Sequence, residues 1–216
     1  GYIVKKDSPS CGMERVKVYK NNMPEKKGSG LYTYTMMQSY PDLPVEEEGR
    51  LGDPVLRENF IKRVFIYKRW RDFLQNNPAW PDLYNFHARH KYILYSHDQN
   101  KARQLGRELS EVGKVDLSEY AVGYGRRLME ILKIPATRKN HVNTLLHIQG
   151  YLKRDLDKDD KQELTNIIDA YRLGHVPLIV PITLLRHHFR KSPDEYINNS
   201  YYMNPHPDEL MLLNSL

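Results

Sequence analysis

Cys11 is the only cysteine of the chain, and its neighbours are expected to present it in a turn. The segment Lys5 to Gly12 reads KKDSPSCG and follows a short apolar run, Tyr2 to Val4, that is typical of a strand. Pro9 fixes its own φ and biases the residue before it toward an extended backbone, and Gly12 permits a close approach or an unusual φ. We therefore expect a strand that delivers a thiol into a tight turn. The alternative is that this thiol is a small buried hydrophobe, as a lone cysteine most often is.

The motif Ser8-Pro9-Ser10-Cys11-Gly12 resembles the last cysteine motif of the TudS family, the iron-sulfur thiouracil desulfidases. The stretches Gly28 to Leu31 and Pro44 to Leu51 resemble the end of the same domain. From Asp53 onward the chain resembles the linker and the YbgA-type domain that is often fused behind it. This second resemblance is carried by Phe86 to Lys91, His141 to Asn143, Pro177 to Pro181, Leu185 to Arg190 and Asn204 to Pro207. Together these phrases cover nearly the whole chain.

The resemblance implies removal of sulfur from a thiouracil base by a 4Fe-4S cluster that three cysteines hold, with one iron left open for the substrate sulfur. Cys11 is then a cluster ligand, and Ser8 and Ser10 are candidate hydrogen-bond donors to the cluster or the base. Four-iron clusters depend on several thiolates, and this chain has one cysteine. We therefore expect the other ligands in a missing N-terminal part of the same protein. The chain alone is expected to be inactive, and the parent protein to act on thiolated tRNA or a thiouracil nucleotide.

Composition is that of a globular chain with a real core. The 216 residues are 40% hydrophobic, and no apolar run approaches the roughly 20 residues that cross a membrane. One cysteine excludes an internal disulfide framework and favours a reducing cytoplasm. The predicted fold is mainly α: a multi-helix YbgA-like domain at 81–216 follows a linker helix at 53–80 and the remnant of an α/β TudS-like domain at 1–52.

Helical periodicity begins at Asp53, which is expected to cap a helix that has Pro54 at its first position and ends at Asn76-Asn77-Pro78. Further helices are predicted over 81–96, 100–112, 117–135, 137–156, 158–173, 181–190 and 193–202. Ahead of Asp53 the sequence predicts a turn at 21–24, a short helix at 31–40 and a solvated acidic turn at 46–49.

Nine histidines invite a metal interpretation. His87, His90 and His97 would lie along one side of a helix, but no acidic residue completes a metalloprotease-type HExxH arrangement and no cysteine is nearby. His187 and His188 are adjacent and would point about 100° apart on a helix. Hydrogen bonds by histidine between helices are therefore predicted in preference to a metal site.

The formal charge is +6, and its distribution favours an anionic partner. Between Ala121 and Arg154 Glu130 is the one acid, and Arg186 and Arg190 share a helical face that has no acid nearby. Mixed arginines, histidines and aromatic residues suit a folded RNA. The candidate nucleic-acid-binding residues are Arg89, Arg126, Arg127, Arg138, Lys139, Arg186, His187, Arg190 and Lys191.

The alternative to RNA binding at these positions is a solvated basic face. Its cations would pair in part with intramolecular carboxylates, such as those between Asp155 and Asp160. The corresponding alternative for the whole protein is a non-catalytic, basic helical module that binds nucleic acid or another protein.

Overall fold

The computed structural model describes residues 1–20, 23–113, 115–207, 210 and 212–214. It comprises two compact units, Gly1–Asn76 and Asn77–Leu216. Within the described residues helices dominate, and the strands all lie in the first unit. The predicted mainly α fold, with a small α/β segment ahead of the helical part, is therefore confirmed. The boundaries drawn from the sequence at 52 and 80 stay predictions.

Two small sheets form in the first unit. Strand β1 (Tyr2–Val4) pairs in parallel with β4 (Val45–Glu47), and β2 (Val16–Lys20) pairs antiparallel with β3 (Met23–Gly28). The predicted strand ahead of the cysteine is thus confirmed. Of the turn predicted at 21–24, Met23 and Pro24 lie in β3, and the other two residues lie outside the described part of the chain.

The solvated acidic turn predicted at 46–49 is confirmed only for Glu48 and Gly49, which form an exposed turn, whereas Glu46 and Glu47 belong to strand β4. Glu46 and Glu47 are only 5% and 4% exposed. A run of three glutamates indicates solvent by composition, but parallel pairing with β1 draws the backbone inward, and Arg50 provides an ion pair whose Nε lies 2.7 Å from Glu46 Oε1.

The two helices of the first unit agree closely with the prediction. Helix α1 spans Leu31–Ser39 and α2 spans Pro54–Gln75. The Asp53 carboxylate accepts hydrogen bonds from the N–H groups of Val55 and Leu56 at 2.8 and 3.0 Å, so it caps α2 as expected, with Pro54 at the first position where no N–H is needed.

The second unit is built of helices that pack in sequence along the chain. They are α3 (Trp80–His97), α4 (Gln99–Ser110), α5 (Leu117–Lys133), α6 (Arg138–Gln149), α7 (Lys158–Leu173), α8 (Ile179–Lys191) and the single-turn α9 (Glu195–Asn198). Helix α3 contacts α4, α5 and α6, and α7 contacts α6 and α8. The core is formed by apolar side chains of these helices, among them Leu83, Leu94, Leu105, Leu128, Leu145, Leu164, Leu185 and Phe189.

Three predicted helix boundaries are wrong in this unit. Helix α6 ends at Gln149, because Gly150 begins a 3-10 turn that leads out of it. Helix α8 begins at Ile179, two residues ahead of Pro181; the proline is tolerated there because N–H groups of a first turn have no helical acceptor. The last predicted helix shrinks to α9, which the Asp194 carboxylate caps. Within the described residues no helix is both long and apolar enough to cross a membrane.

Candidate functional site

The thiol of Cys11 lies in a tight turn and is partly exposed. The Gly12 N–H donates to Ser8 O at 2.8 Å, and the Cys11 N–H donates to Ser8 Oγ at 3.2 Å. Ser10 Oγ is 3.4 Å from Cys11 Sγ and 3.2 Å from Ser8 Oγ. The three side chains named from the sequence therefore form one hydrogen-bonded chain that ends on the sulfur, and Cys11 is not packed away as a buried hydrophobe.

Helix α1 holds this loop by its N-terminal donors. Gly30 caps the helix without a side-chain bond, and the N–H groups of Leu31 and Tyr32 donate to Pro9 O at 3.2 Å and Ser10 O at 2.9 Å. The Thr33 hydroxyl, which is fully buried, donates to Cys11 O at 2.8 Å. The first turn of a helix leaves its N–H groups without helical acceptors, and here the cysteine loop supplies the acceptors.

Gly30 is needed at its position because the loop backbone lies against it. A Cβ built there would be 2.4 Å from Ser10 C and 2.5 Å from Cys11 N, which real Cβ atoms do not reach. Backbone atoms cannot rotate away as a side chain can. Any larger residue at this position must therefore displace the segment that carries the thiol.

Strand β4 holds the other end of the loop through its buried acids. Glu47 Oε1 accepts a hydrogen bond from the Met13 N–H at 3.2 Å. Glu46 forms the ion pair with Arg50, and its charge also acts on Arg63, whose pKa is lowered by burial while Glu46 opposes that shift. The cysteine turn is thus fixed by α1 and by β4.

The contacts that α1 and β4 make with the cysteine loop together form a clamp. Three of its residues were not predicted from the sequence: Gly30, Thr33 and Glu47. The available signal was Gly30 itself, which immediately precedes a predicted helix at a position where Ser, Thr, Asp or Asn would ordinarily cap. Glycine is also an accepted N-cap residue, so it permits a close approach of another backbone but does not by itself predict one. No comparable signal marked Glu47, since its burial depends on strand pairing across forty residues of chain.

The donor set near Cys11 fits one ligand of a metal centre and no more. Its sulfur is accessible and held in a defined turn, but no other thiol exists in the sequence. Among the described residues no group of three or more His, Cys, Asp or Glu side chains is arranged to hold a metal ion. That these 216 residues do not build a four-iron cluster by themselves stays a prediction, which rests on the single thiolate of the sequence.

Several histidines of the second unit bond between elements. His87 Nδ1 lies 2.9 Å from the Tyr124 hydroxyl of α5, and His141 Nδ1 lies 2.8 Å from the Tyr202 hydroxyl. His97 Nδ1 lies 2.5 Å from Ile134 O. The contact of His87 confirms the predicted hydrogen bonding between helices, whereas His97 and His141 bond to residues outside the helices.

The arginines and lysines among the candidate RNA-binding residues fall into two groups. In the first, the side chain has an intramolecular partner: Arg89 donates to Asn199 O and Arg138 donates to Tyr171 O, at 3.1 and 2.6 Å. Arg127 forms an ion pair with Glu108 at 3.2 Å, and the Arg186 guanidinium donates to Met203 O. In this group the basic side chains contribute to the fold of the second unit, and RNA binding through them stays a prediction.

The second group is solvent-exposed and consists of Arg126, Lys139, Arg190 and Lys191. Arg190 Nη2 lies 3.2 Å from His187 Nδ1, one turn earlier on α8, so these two predicted residues do lie together. Exposed cations of this kind are available to an anionic partner.

Comparison with known proteins gives a match to a different family model for each of two parts of the chain. Residues 1–48 match the family model for 2-thiouracil desulfurase, and residues 91–207 match the model described as protein of unknown function (DUF1722). The chain belongs to this second, YbgA-like family. It is 31% identical over 159 residues to the uncharacterized protein YbgA of Escherichia coli (strain K12), which covers 73% of this chain and 94% of that protein. No solved structure matches it. The resemblance drawn from the motifs is confirmed, and the first segment is related to thiouracil desulfurases.

Proposed function

We propose that this chain is the part of an iron-sulfur-dependent desulfidase that supplies one cluster ligand, Cys11, and a substrate-binding helical domain. The substrate class is a thiouracil base, in thiolated tRNA or in a nucleotide. The observation that carries the proposal is a presented thiol, clamped by α1 and β4, within the segment that matches the 2-thiouracil desulfurase model. A reducing cytoplasm is the proposed compartment.

The remaining cluster ligands are proposed to lie outside these 216 residues, in an upstream part of the same protein. The surface of the first unit supports this. Ile3 of β1 is 53% exposed and Leu31 of α1 is 80% exposed. Parallel strands are ordinarily covered on both faces, so the exposed side chain of Ile3 on β1 is consistent with a further part of the domain that covers this strand.

The residues of this chain have separate roles in the proposal. The clamp fixes the direction of the Cys11 sulfur, and Ser10 provides a hydroxyl within hydrogen-bonding distance of it. Ser8 holds the turn through its bond to the Cys11 N–H. In the helical unit the exposed cations named above supply the phosphate contacts.

A second candidate is a non-catalytic nucleic-acid or protein interaction module. It is favoured by one specific observation, the single thiol of the chain, and by the extent of the match to a family that carries no assigned activity. The two candidates differ in whether Cys11 is needed for any activity of the protein that contains it.

The test is hydrosulfide release from a thiouracil nucleotide by the protein that contains this chain, with the variant Cys11→Ser. We expect Cys11→Ser to lose desulfuration entirely and the matched variant Ser29→Ala, at an exposed nearby serine, to keep it. Full activity of Cys11→Ser would exclude the ligand role and leave the module as the better candidate.

The RNA-binding part is tested separately by replacing Arg126, Lys139, Arg190 and Lys191 with Gln. Removing one phosphate-binding cation lowers the slope of log affinity against log salt by roughly 0.7 to 0.9. We expect the affinity for tRNA and its salt dependence to fall together. Hydrosulfide release from the free thiouracil nucleotide should continue. An unchanged salt slope would show that these cations do not contact RNA.

A further inference from the structure

A cleft between α3 and α4 lies apart from the cations considered so far. It has a volume of about 390 Å³, and Tyr196 of α9 also lines it. Small residues on the facing turns, Ala88, Ala102 and Gly106, leave the space open. A Cβ added to Gly106 would be 3.2 Å from His87 Nε2, so the floor is already tightly packed. The volume lies within the range of small-molecule sites, roughly 300 to 1,000 Å³.

The lining of this cleft combines aromatic rings with positive charge. Tyr84, Tyr95 and Tyr196 contribute rings, Lys91 and Arg103 contribute charge, and no carboxylate is part of the described lining. Lys91 Nζ lies 5.7 Å from the centre of the Tyr95 ring and 6.0 Å from that of Tyr196, and Arg103 Cζ lies 5.9 Å from that of Tyr95. Neither cation forms an ion pair with a described acid.

Charge and aromaticity together define the kind of ligand. An apolar ligand would not need two cations without carboxylate partners, and a simple inorganic anion would not use the tyrosine rings. A flat heteroaromatic base stacks on tyrosine, and a phosphate attached to it would be bound by Lys91 and Arg103. His87 also lines the cleft, and its imidazole is neutral at pH 7 because burial lowers its pKa to about 4.

The acids near this cleft lie beyond it. Asp194 and Glu195 line a neighbouring cavity of about 410 Å³ that shares Ala88 and Tyr196 with the cleft. The Asp194 carboxylate accepts the Ile197 N–H at 2.9 Å and so caps α9. Neither of these two acids is among the residues that line the cleft of Lys91 and Arg103.

We propose that the cleft between α3 and α4 is a nucleotide-binding site, in which a base stacks on Tyr95 and Tyr196 and its phosphate is bound by Lys91 and Arg103. This site would be the part of the helical domain that binds one nucleotide unit. Its biological role rests on the proposed function. That unit is either a free nucleotide or one residue of an RNA, since both present the same chemistry.

The experiment is calorimetric titration of the 216-residue chain with uridine monophosphate, uridine and an oligouridylate. The double variant Lys91→Gln with Arg103→Gln is compared with Lys101→Gln, an exposed lysine of α4 outside the cleft. We expect the double variant to bind uridine monophosphate at least about tenfold more weakly, the loss of one to two charge-assisted contacts, and Lys101→Gln to bind as the wild type does. Uridine should bind weakly and equally to all three.

The probes distinguish the two sources of the ligand. Binding of the oligouridylate alone, with the same sensitivity to the double variant, would identify an RNA residue as the ligand. Absence of binding by both phosphate-bearing probes, or equal binding by wild type and double variant, would overturn the proposal. Should the double variant unfold, Arg103→Glu, a change at an exposed position, replaces it and is expected to show the same loss.

Because the titration involves no desulfuration, its result is independent of the proposed activity. Nucleotide binding at the cleft by a protein that releases no sulfur would contradict the desulfidase alone. Desulfuration that continues after the cleft is shown not to bind nucleotide would contradict the cleft alone.

Discussion

Acid is expected to destabilise the helical unit through His87. Its ring is largely buried on α3 and bonded to the Tyr124 hydroxyl. Burial lowers the pKa of His87 to about 4, and the charge of Lys91 acts in the same direction. In the unfolded chain a histidine titrates near its ordinary value of about 6.5. Between these two values the unfolded state binds the extra proton, so this contribution to stability is complete above pH 6.5 and is lost as the pH falls toward 4.

The size of the effect follows from the two pKa values. From these values, the free energy of unfolding is about 2 kcal/mol lower at pH 5 than at pH 7 because of His87. The assay is urea unfolding at both pH values, for the wild type and for His87→Gln, which keeps a hydrogen-bonding side chain but does not titrate. The other histidines are the same in both proteins, so the difference between the two losses isolates the contribution of His87. We expect His87→Gln to lose about 2 kcal/mol less than the wild type, and equal losses would refute the reasoning.

Further substitutions test the core, a cap and the cysteine clamp. Phe189 is 2% exposed, so Phe189→Ala should reduce the free energy of unfolding by about 3 to 5 kcal/mol, and a change near zero would contradict its place in the core. Asp53→Ala should cost about 1 kcal/mol in the same urea assay while Asp53→Asn costs much less; equal costs would contradict the cap. Gly30→Ala should displace the loop and change the rate at which a thiol reagent modifies Cys11, whereas Ser29→Ala should leave that rate unchanged. An unaltered rate in Gly30→Ala would show that the backbone contact is not restrictive.

Local signals in the sequence predicted most of the helices. The cap at Asp53 and the stop at Gly174, which has a left-handed φ of 83°, depend on neighbouring residues alone and are therefore visible in the sequence. The burial of Glu46 and Glu47 depends on pairing with a strand at the other end of the segment. The composition of this segment predicted that both glutamates would be exposed to solvent, but the pairing of β4 with β1 buries them.

At the candidate sites too, features set by neighbouring residues were predicted, and features that depend on distant parts of the chain were not. The motif around Cys11 predicted a presented thiol because proline, serine and glycine act on their own backbone. The contribution of Arg138 and Arg186 to the fold could not be seen, because their acceptors, Tyr171 O and Met203 O, lie on other elements. The cleft of Lys91 and Arg103 was also not seen as a whole, since its lining comes from three helices.

The central claim is that Cys11 is one ligand of a cluster whose other ligands lie outside this chain. The direct measurement is the visible absorption and iron content after anaerobic reconstitution with iron and sulfide. It is made on the protein that contains this chain, on its Cys11→Ser variant and on the 216 residues alone. We predict a stable cluster in the first protein and none in the other two, because a single thiolate does not hold four irons. A full complement of cluster in Cys11→Ser would contradict the account.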